Sequence, residues 1–338
     1  MKTRLLLASL FIASSLFAQT FTNSTIRNVD ARGGVAQAIG RDGWYAWSVP
    51  MAGGGSICCW TQKGSGCCGG CALGGNRGWS MNMDDEKGLG KHQTSDVTIA
   101  INLDEGQVVK VQMFDSACPT DGRGNTINVL QNVDPASSIA WLADRARVNK
   151  SDHGNSVVGA LAVHDHPNMM PALERLTADG VPSKVREDAI FWVGQRGGER
   201  GFRFLRDFLK TEDSTSLRKK AVFSLSQNKS DGAIPALIEL ARHDKSHETR
   251  REAIFWLGQR AGTKAADELR RVVDEDPDDD VKEHAVFAIS QLPRERSIPM
   301  LVELVKTHKS PNVRKKAMFW LAQTGDDRAL DVIEDILQ

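Results

Sequence analysis

The sequence has no excess of charge of either sign. Its 43 basic and 43 acidic residues cancel, with 11 of each before Pro135 and 32 of each from there on. A nucleic-acid-binding domain normally carries a basic face that unbalances it, so no nucleic-acid partner is expected. Beyond the first residues no run is apolar enough to span a bilayer, which takes about 20 residues, and no membrane insertion is expected. The chain also lacks a GxSxG elbow, an HExxH motif and a phosphate-binding loop, and no His–acid–nucleophile set can be assembled from it. No catalytic residue, cofactor or metal ligand is assigned, and the chain reads as a binding protein rather than an enzyme.

What the N-terminus does have is an export pattern. Lys2 and Arg4 precede an apolar stretch from Leu5 to Phe17 that ends on the small residue Ala18. Residues 1–18 are therefore expected to be a signal peptide, and the mature protein periplasmic or secreted. In an oxidising compartment, six cysteines favour disulfides. They are Cys58, Cys59, Cys67, Cys68, Cys71 and Cys118. Sequence neighbours make poor partners, because their Cα atoms sit about 3.8 Å apart against the roughly 4.4–6.8 Å of a disulfide. The expectation is that the two CC pairs bridge crosswise and Cys71 joins Cys118, although other connectivities stay open. Cys68-Gly-Gly-Cys71 also has the spacing of a redox dithiol or part of a thiolate metal site. A Cys-based metal-binding or redox protein that docks through the rest of the chain is the alternative reading.

Residues 19–134 have a β character. Val97, Ile99, Ile101 and Leu103, then Val109, Val111 and Met113, alternate with period two around Asp104-Glu105-Gly106, which predicts a hairpin. Thr126–Val133 adds a strand, and Trp44, Tyr45 and Trp47 supply core. The Gly-rich segment 53–75, with five of the cysteines, is expected to be a loop.

From 135 to 338 the chain repeats itself every 32 residues. The segments starting at Val185 (VREDAIFWVGQ), Leu217, Thr249, Val281 and Val313 align without a gap, and a sixth, degenerate copy begins at His153. A second apolar pattern lies between them, as in AIPALIEL around Pro235. Apolar spacings of three and four mark one face of each helix, so each repeat is a helical hairpin in an α-solenoid. Trp192, Trp256 and Trp320 alternate with Ser224 and Ala288, which suggests each Trp fills space left by its small neighbours. Pro171, Pro235 and Pro299 suit the first turn of a helix.

The run VR…A…FWLGQ followed by IPALIEL resembles HEAT repeats of the short bacterial, phycobilisome-lyase-like kind. The resemblance covers about residues 136–338 and implies a curved solenoid that serves protein–protein contact, here in an exported bacterial protein. Lyase activity is not carried over, because no chromophore-binding motif is present. The fold class expected is mainly α: a HEAT-like α-solenoid with a small β-rich, Cys/Gly-rich N-terminal module.

Two ladders fall away from the core stripe Val185, Ala189, Val193 on a helical wheel. One is Phe191, Phe223, Phe255, Phe287 and Phe319; the other is Gln195, Gln227, Gln259, Gln291 and Gln323. Either they maintain stacking, each Phe on the next repeat and each Gln on a helix-end backbone group, or they form a groove for a protein or extended peptide. Arg186, Arg218, Arg250, Lys282 and Arg314 form a third ladder expected to bond the preceding turn. The acidic run Asp274–Asp280 complements a helix start and lacks calcium-loop spacing. His164-Asp165-His166 reads as a solvated turn. Self-association through the C-terminal repeat is a further expectation.

Overall fold

The structure, a computed structural model, describes residues 20–51, 56–59, 71–74, 79–82, 96–148, 154–260 and 265–326. The expected signal peptide, Cys67, Cys68 and the final apolar segment around Asp331 lie outside the described residues. The chain divides into two compact units, Met1–His166 and Pro167–Gln338.

The first unit is built on a five-stranded sheet in the order β2-β9-β3-β6-β7. Its strands are β2 (Thr25–Asp30), β3 (Gly43–Pro50), β6 (Asp96–Asp104), β7 (Gln107–Asp115) and β9 (Thr126–Gln131). β9 runs parallel to both its neighbours, whereas β3–β6–β7 is antiparallel. The predicted hairpin is present. Asp104 pairs with Gln107, and the two loop residues Glu105 and Gly106 have φ of 49° and 79°. Positive φ at both central residues is what a tight hairpin needs to follow strand twist, and Gly106 supplies one at no steric cost.

Period two gives a strand one buried face, yet β6 is buried on both. Val97, Ile99 and Ile101 are fully covered, and so are Thr98 and Ala100 between them. Ala100 packs with Trp44, Ala46, Phe114, Cys71, Leu73 and Cys118. On β3, Trp47 turns toward helix α2 (Pro135–Val148), meeting Trp141 edge-on at 6.0 Å and donating from Nε1 to Ser138 Oγ at 2.8 Å. α2 and α3 (Gly154–Ala162), which the repeat pattern groups with the solenoid, belong to the first compact unit.

Two expectations are corrected here. Within the Gly-rich segment Ser56–Cys59 is a strand, β4, paired antiparallel with β5 (Trp79–Asn82). His164 is not solvated but fully buried: its Nδ1 pairs with Leu161 O at 3.0 Å and its Nε2 with Ser138 Oγ at 2.9 Å.

The second unit holds helix pairs α4 (Met169–Leu176)/α5 (Ser183–Arg196), α6 (Gly198–Thr211)/α7 (Thr215–Gln227), α8 (Ala233–His243)/α9 (His247–Arg260), α10 (Ala266–Glu275)/α11 (Asp279–Ser290) and α12 (Arg294–Thr307)/α13 (Pro311–Gln323). The second helices pack on one another in sequence order, α5–α7–α9–α11–α13. The spacing of four read from the sequence is the core stripe: Val185, Ala189 and Val193 are buried, as are Leu217, Ala221 and Leu225.

The Trp/small alternation has a different cause from the one expected. A Cβ placed on Gly194 would lie 2.6 Å from the backbone oxygen of Ser224, and one on Gly258 would lie 3.1 Å from Ala288 Cβ. The small residues therefore let neighbouring helices approach closely at glycine, while the Trp rings lie elsewhere. Pro171 and Pro235 do sit in first turns, but α12 begins at Arg294 and leaves Pro299 inside the helix.

Candidate functional site

Trp192, Trp256 and Trp320 join the Phe ladder in one continuous chain of rings across the second helices. Phe191 touches Trp192 at 5.2 Å and stacks on Phe223 at 6.0 Å. Phe223 meets Trp256 at 4.8 Å, and Trp256 meets Phe255 at 5.0 Å. Phe255 stacks on Phe287 at 6.3 Å, Phe287 meets Trp320 at 4.9 Å, and Trp320 meets Phe319 at 5.0 Å. Eight rings from five helices are thus linked edge to face or face to face. Phe191, Phe223, Phe255 and Phe287 are half-buried, and Phe319 on α13 is 51% exposed.

Both sequence readings of the Phe ladder have a share in this geometry. Each Phe does contact the neighbouring repeat, as stacking requires, and each also keeps part of its ring at the surface. The wheel missed the Trp contribution, because adjacent residues point 100° apart on one helix and meet only through the ring of the next repeat. The 64-residue Trp period was the available signal. The Gln ladder runs from half-buried Gln195 and Gln227 to exposed Gln259, Gln291 and Gln323. Gln227 and Gln291 donate from Nε2 to the hydroxyls of Ser226 and Ser290 at 3.0 and 3.1 Å, rather than to backbone.

Charged side chains flank the rings one turn earlier. Burial raises the Asp188 carboxyl above its ordinary value, against the pull of Lys184 and Lys220. Lys220 Nζ lies 5.6 Å from the centre of the Phe223 ring. His284, 5.8 Å from Phe287, is lowered first by burial and then by the positive charges of Arg251 and Lys316.

The basic ladder bonds the preceding turn, as expected, and also ties each repeat to the next. Arg186, Arg218 and Arg250 reach Glu212, Asp244 and Asp276, each 26 residues on, at 2.6, 2.6 and 2.8 Å. They also donate to turn carbonyls: Arg186 to Thr177, Arg218 to Leu209 and Glu212, Arg250 to Asp244. Arg314 donates to His308 O at 2.7 Å, and Lys282 instead pairs with Asp279 at 3.0 Å.

In the acidic run, Asp278 caps α11 by accepting from Asp280 N and Val281 N, and Asp274 pairs with Arg270 at 3.0 Å. No group of three or more potential metal-ligating side chains occurs among the described residues. Cys71 and Cys118 are buried together in the apolar cluster of the first unit, and neither is a free thiol. The side chains of Cys58 and Cys59 lie outside the described residues.

Comparison with known proteins gives one family and a set of folds. Residues 202–290 and 274–338 match the family described as HEAT repeats. Similar solved structures include YibA of Escherichia coli, 24% identical with a TM-score of 0.37, covering 56% of this chain and 70% of that one. The CpcE–CpcF complex of phycocyanin lyase from Nostoc sp. PCC7120 is 21% identical, with a TM-score of 0.31, 60% of this chain and 81% of that one covered. AlkD2 from Streptococcus mutans is 15% identical, with a TM-score of 0.39, 55% of this chain and 97% of that one covered. A search of curated proteins finds no match. Residues 202–338, read as stacked helix pairs and matched by that family, are HEAT repeats.

Proposed function

We propose that the chain is an exported interaction scaffold that holds a protein or extended peptide on the ring-bearing face of its repeats. The observation that carries this is the unbroken chain of eight rings from Trp192 to Phe319, kept partly at the surface. A contiguous apolar strip of this kind on a surface marks a contact site, and repeat arrays use long faces for recognition. The Gln side chains one turn beyond each Phe offer amide donors and acceptors to a partner's backbone.

Export is supported by the N-terminal pattern ending at Ala18 and by the bonded state of the Cys71 and Cys118 sulfurs, which suits an oxidising compartment. A redox dithiol at Cys68–Cys71 needs a free Cys71 thiol, so no observation favours that alternative. The first test compares wild type with a Phe223→Ala, Phe255→Ala variant in pull-downs from envelope extract, at matched thermal unfolding. Partners retained by the folded variant remove this face from consideration. The second is N-terminal sequencing of the mature protein, which should start at Gln19 in the periplasmic or secreted fraction. Recovery only from cytoplasm with Met1 in place rejects export.

A further inference from the structure

The flank of the ring chain is unevenly charged, and this refines the reading above, on which it rests. We propose that the partner is an acidic extended peptide, with apolar side chains against the ring edges of α7–α13 and carboxylates meeting Arg251 on α9 and the Lys316–Trp320 edge of α13.

Residues three and four positions before each Phe share its side of the helix. From α7 to α13 those positions hold Lys219, Lys220, Arg251, Lys315 and Lys316 against only Glu252 and Glu283, with His284 between them. Both carboxylates are already engaged. Glu252 accepts from Trp256 Nε1 at 2.7 Å, and Glu283 pairs with Lys316 at 3.3 Å. The lowered pKa of His284, caused after burial by Arg251 and Lys316, reports the positive field there.

Two donors on this face have no hydrogen-bond partner among the described residues although both are shielded from solvent: Arg251 Nε and Trp320 Nε1. Shielded donors without acceptors are rare in folded proteins and unfavourable; a carboxylate from outside supplies what they lack. At the α5 end the sense reverses. The unpartnered atom there is an acceptor, Asp188 Oδ2, so an acidic ligand is not favoured over α5.

The ring geometry narrows the class further. Phe191 and Phe223 are within 8° of parallel, and Phe255 and Phe287 within 11°. Their faces are turned to one another, which leaves edges toward solvent. Ring edges carry the positive rim of the quadrupole and suit oxygens and aliphatic groups; they offer no flat platform to a sugar.

The test uses the full chain and synthetic peptides of roughly twelve residues, which in extended form span five helices stacked at about 9 Å per step. Calorimetric titration compares a peptide repeating Leu-Ser-Glu-Ser with ones repeating Leu-Ser-Lys-Ser and Ser-Ser-Glu-Ser, and with a single-stranded oligonucleotide. The acidic apolar peptide should bind at least about fivefold more tightly than the other three. Arg251→Gln should remove that preference while leaving the lysine peptide's affinity unchanged. Arg251→Lys should retain most of it, and Asp188→Asn should leave it intact. Equal binding of the Glu and Lys peptides, or a preference that survives Arg251→Gln, overturns the acidic partner but leaves the ring face standing as a binding surface. Equal binding of the Ser-Ser-Glu-Ser peptide or the oligonucleotide shows a generic anion site and overturns the peptide. Binding of none of the probes overturns this proposal and counts against the ring face as well.

Discussion

Arg218 and Asp244 stand 26 residues apart in the chain and form a two-pronged ion pair, with Nη2 at 2.7 and 2.6 Å from the two carboxylate oxygens and both side chains less than 10% exposed. The same guanidinium donates to the Leu209 and Glu212 carbonyls and to Thr249 Oγ1, so one side chain ties its own turn to the next repeat. Removing one partner of a buried pair strands the other charge, which costs about 3–5 kcal/mol. Arg218→Ala should therefore destabilise the repeats by about that much in urea unfolding, and Arg218→Lys by less. A loss under about 1 kcal/mol would contradict the buried-pair account.

The series breaks one repeat later. The equivalent residues are Lys282 and His308, and His308, 5% exposed, uses Nδ1 to accept from Ser310 N at 3.1 Å, as Asp244 accepts from Ser246 N. Its Nε2 has no hydrogen-bond partner among the described residues and stands 3.6 Å from Asp274. The double variant Lys282→Arg, His308→Asp rebuilds the pair found in the earlier repeats. It should stabilise the second unit by about 1 kcal/mol, read as a raised urea midpoint. Each single change should give less than the pair, so a double-variant cycle isolates the coupling.

His164 governs the acid response of the first unit. Burial lowers its pKa from 6.5 to about 4, since no water remains to solvate the imidazolium. The unfolded chain binds the proton more readily, so this stability is fully present above pH 6.5 and is lost as pH falls through the folded pKa. The loss amounts to roughly 3 kcal/mol. Trp47 fluorescence should follow it, because Ser138 bonds both Trp47 and His164. His164→Gln should flatten the dependence between pH 6.5 and 4; an unchanged slope would assign it to carboxylates instead.

Gly194 and Gly258 occupy equivalent positions, yet they should respond differently to Ala. A Cβ at Gly194 meets Ser224 backbone at 2.6 Å, and that helix must move; at Gly258 the nearest atoms are 3.1 Å away. Gly194→Ala should cost about 1–3 kcal/mol and Gly258→Ala less, measured by thermal unfolding. Equal costs would mean that the α5–α7 approach is not limiting.

The hairpin at Glu105-Gly106, the helix pairs and the core stripe of Val185, Ala189 and Val193 were legible from local rules, because period and turn chemistry belong to neighbours in sequence. So was the Phe ladder as a surface row. The burial of His164 was not, since it depends on Ser138 from another helix. Nor was the strand at Ser56–Cys59, whose partner lies beyond a Gly-rich stretch.

By itself the sequence determined the 32-residue unit, two helices per repeat and which stripe each helix buries, because apolar spacing of three and four is a property of one helix. Only the tertiary structure decided that Trp256 belongs with Phe223, that Gly194 answers Ser224, and that Lys282 faces the place where a carboxylate pair is missing. Those relationships join residues about one repeat apart. Only stacking brings them within reach, since 32 residues is far beyond the few positions over which side chains on one helix can meet.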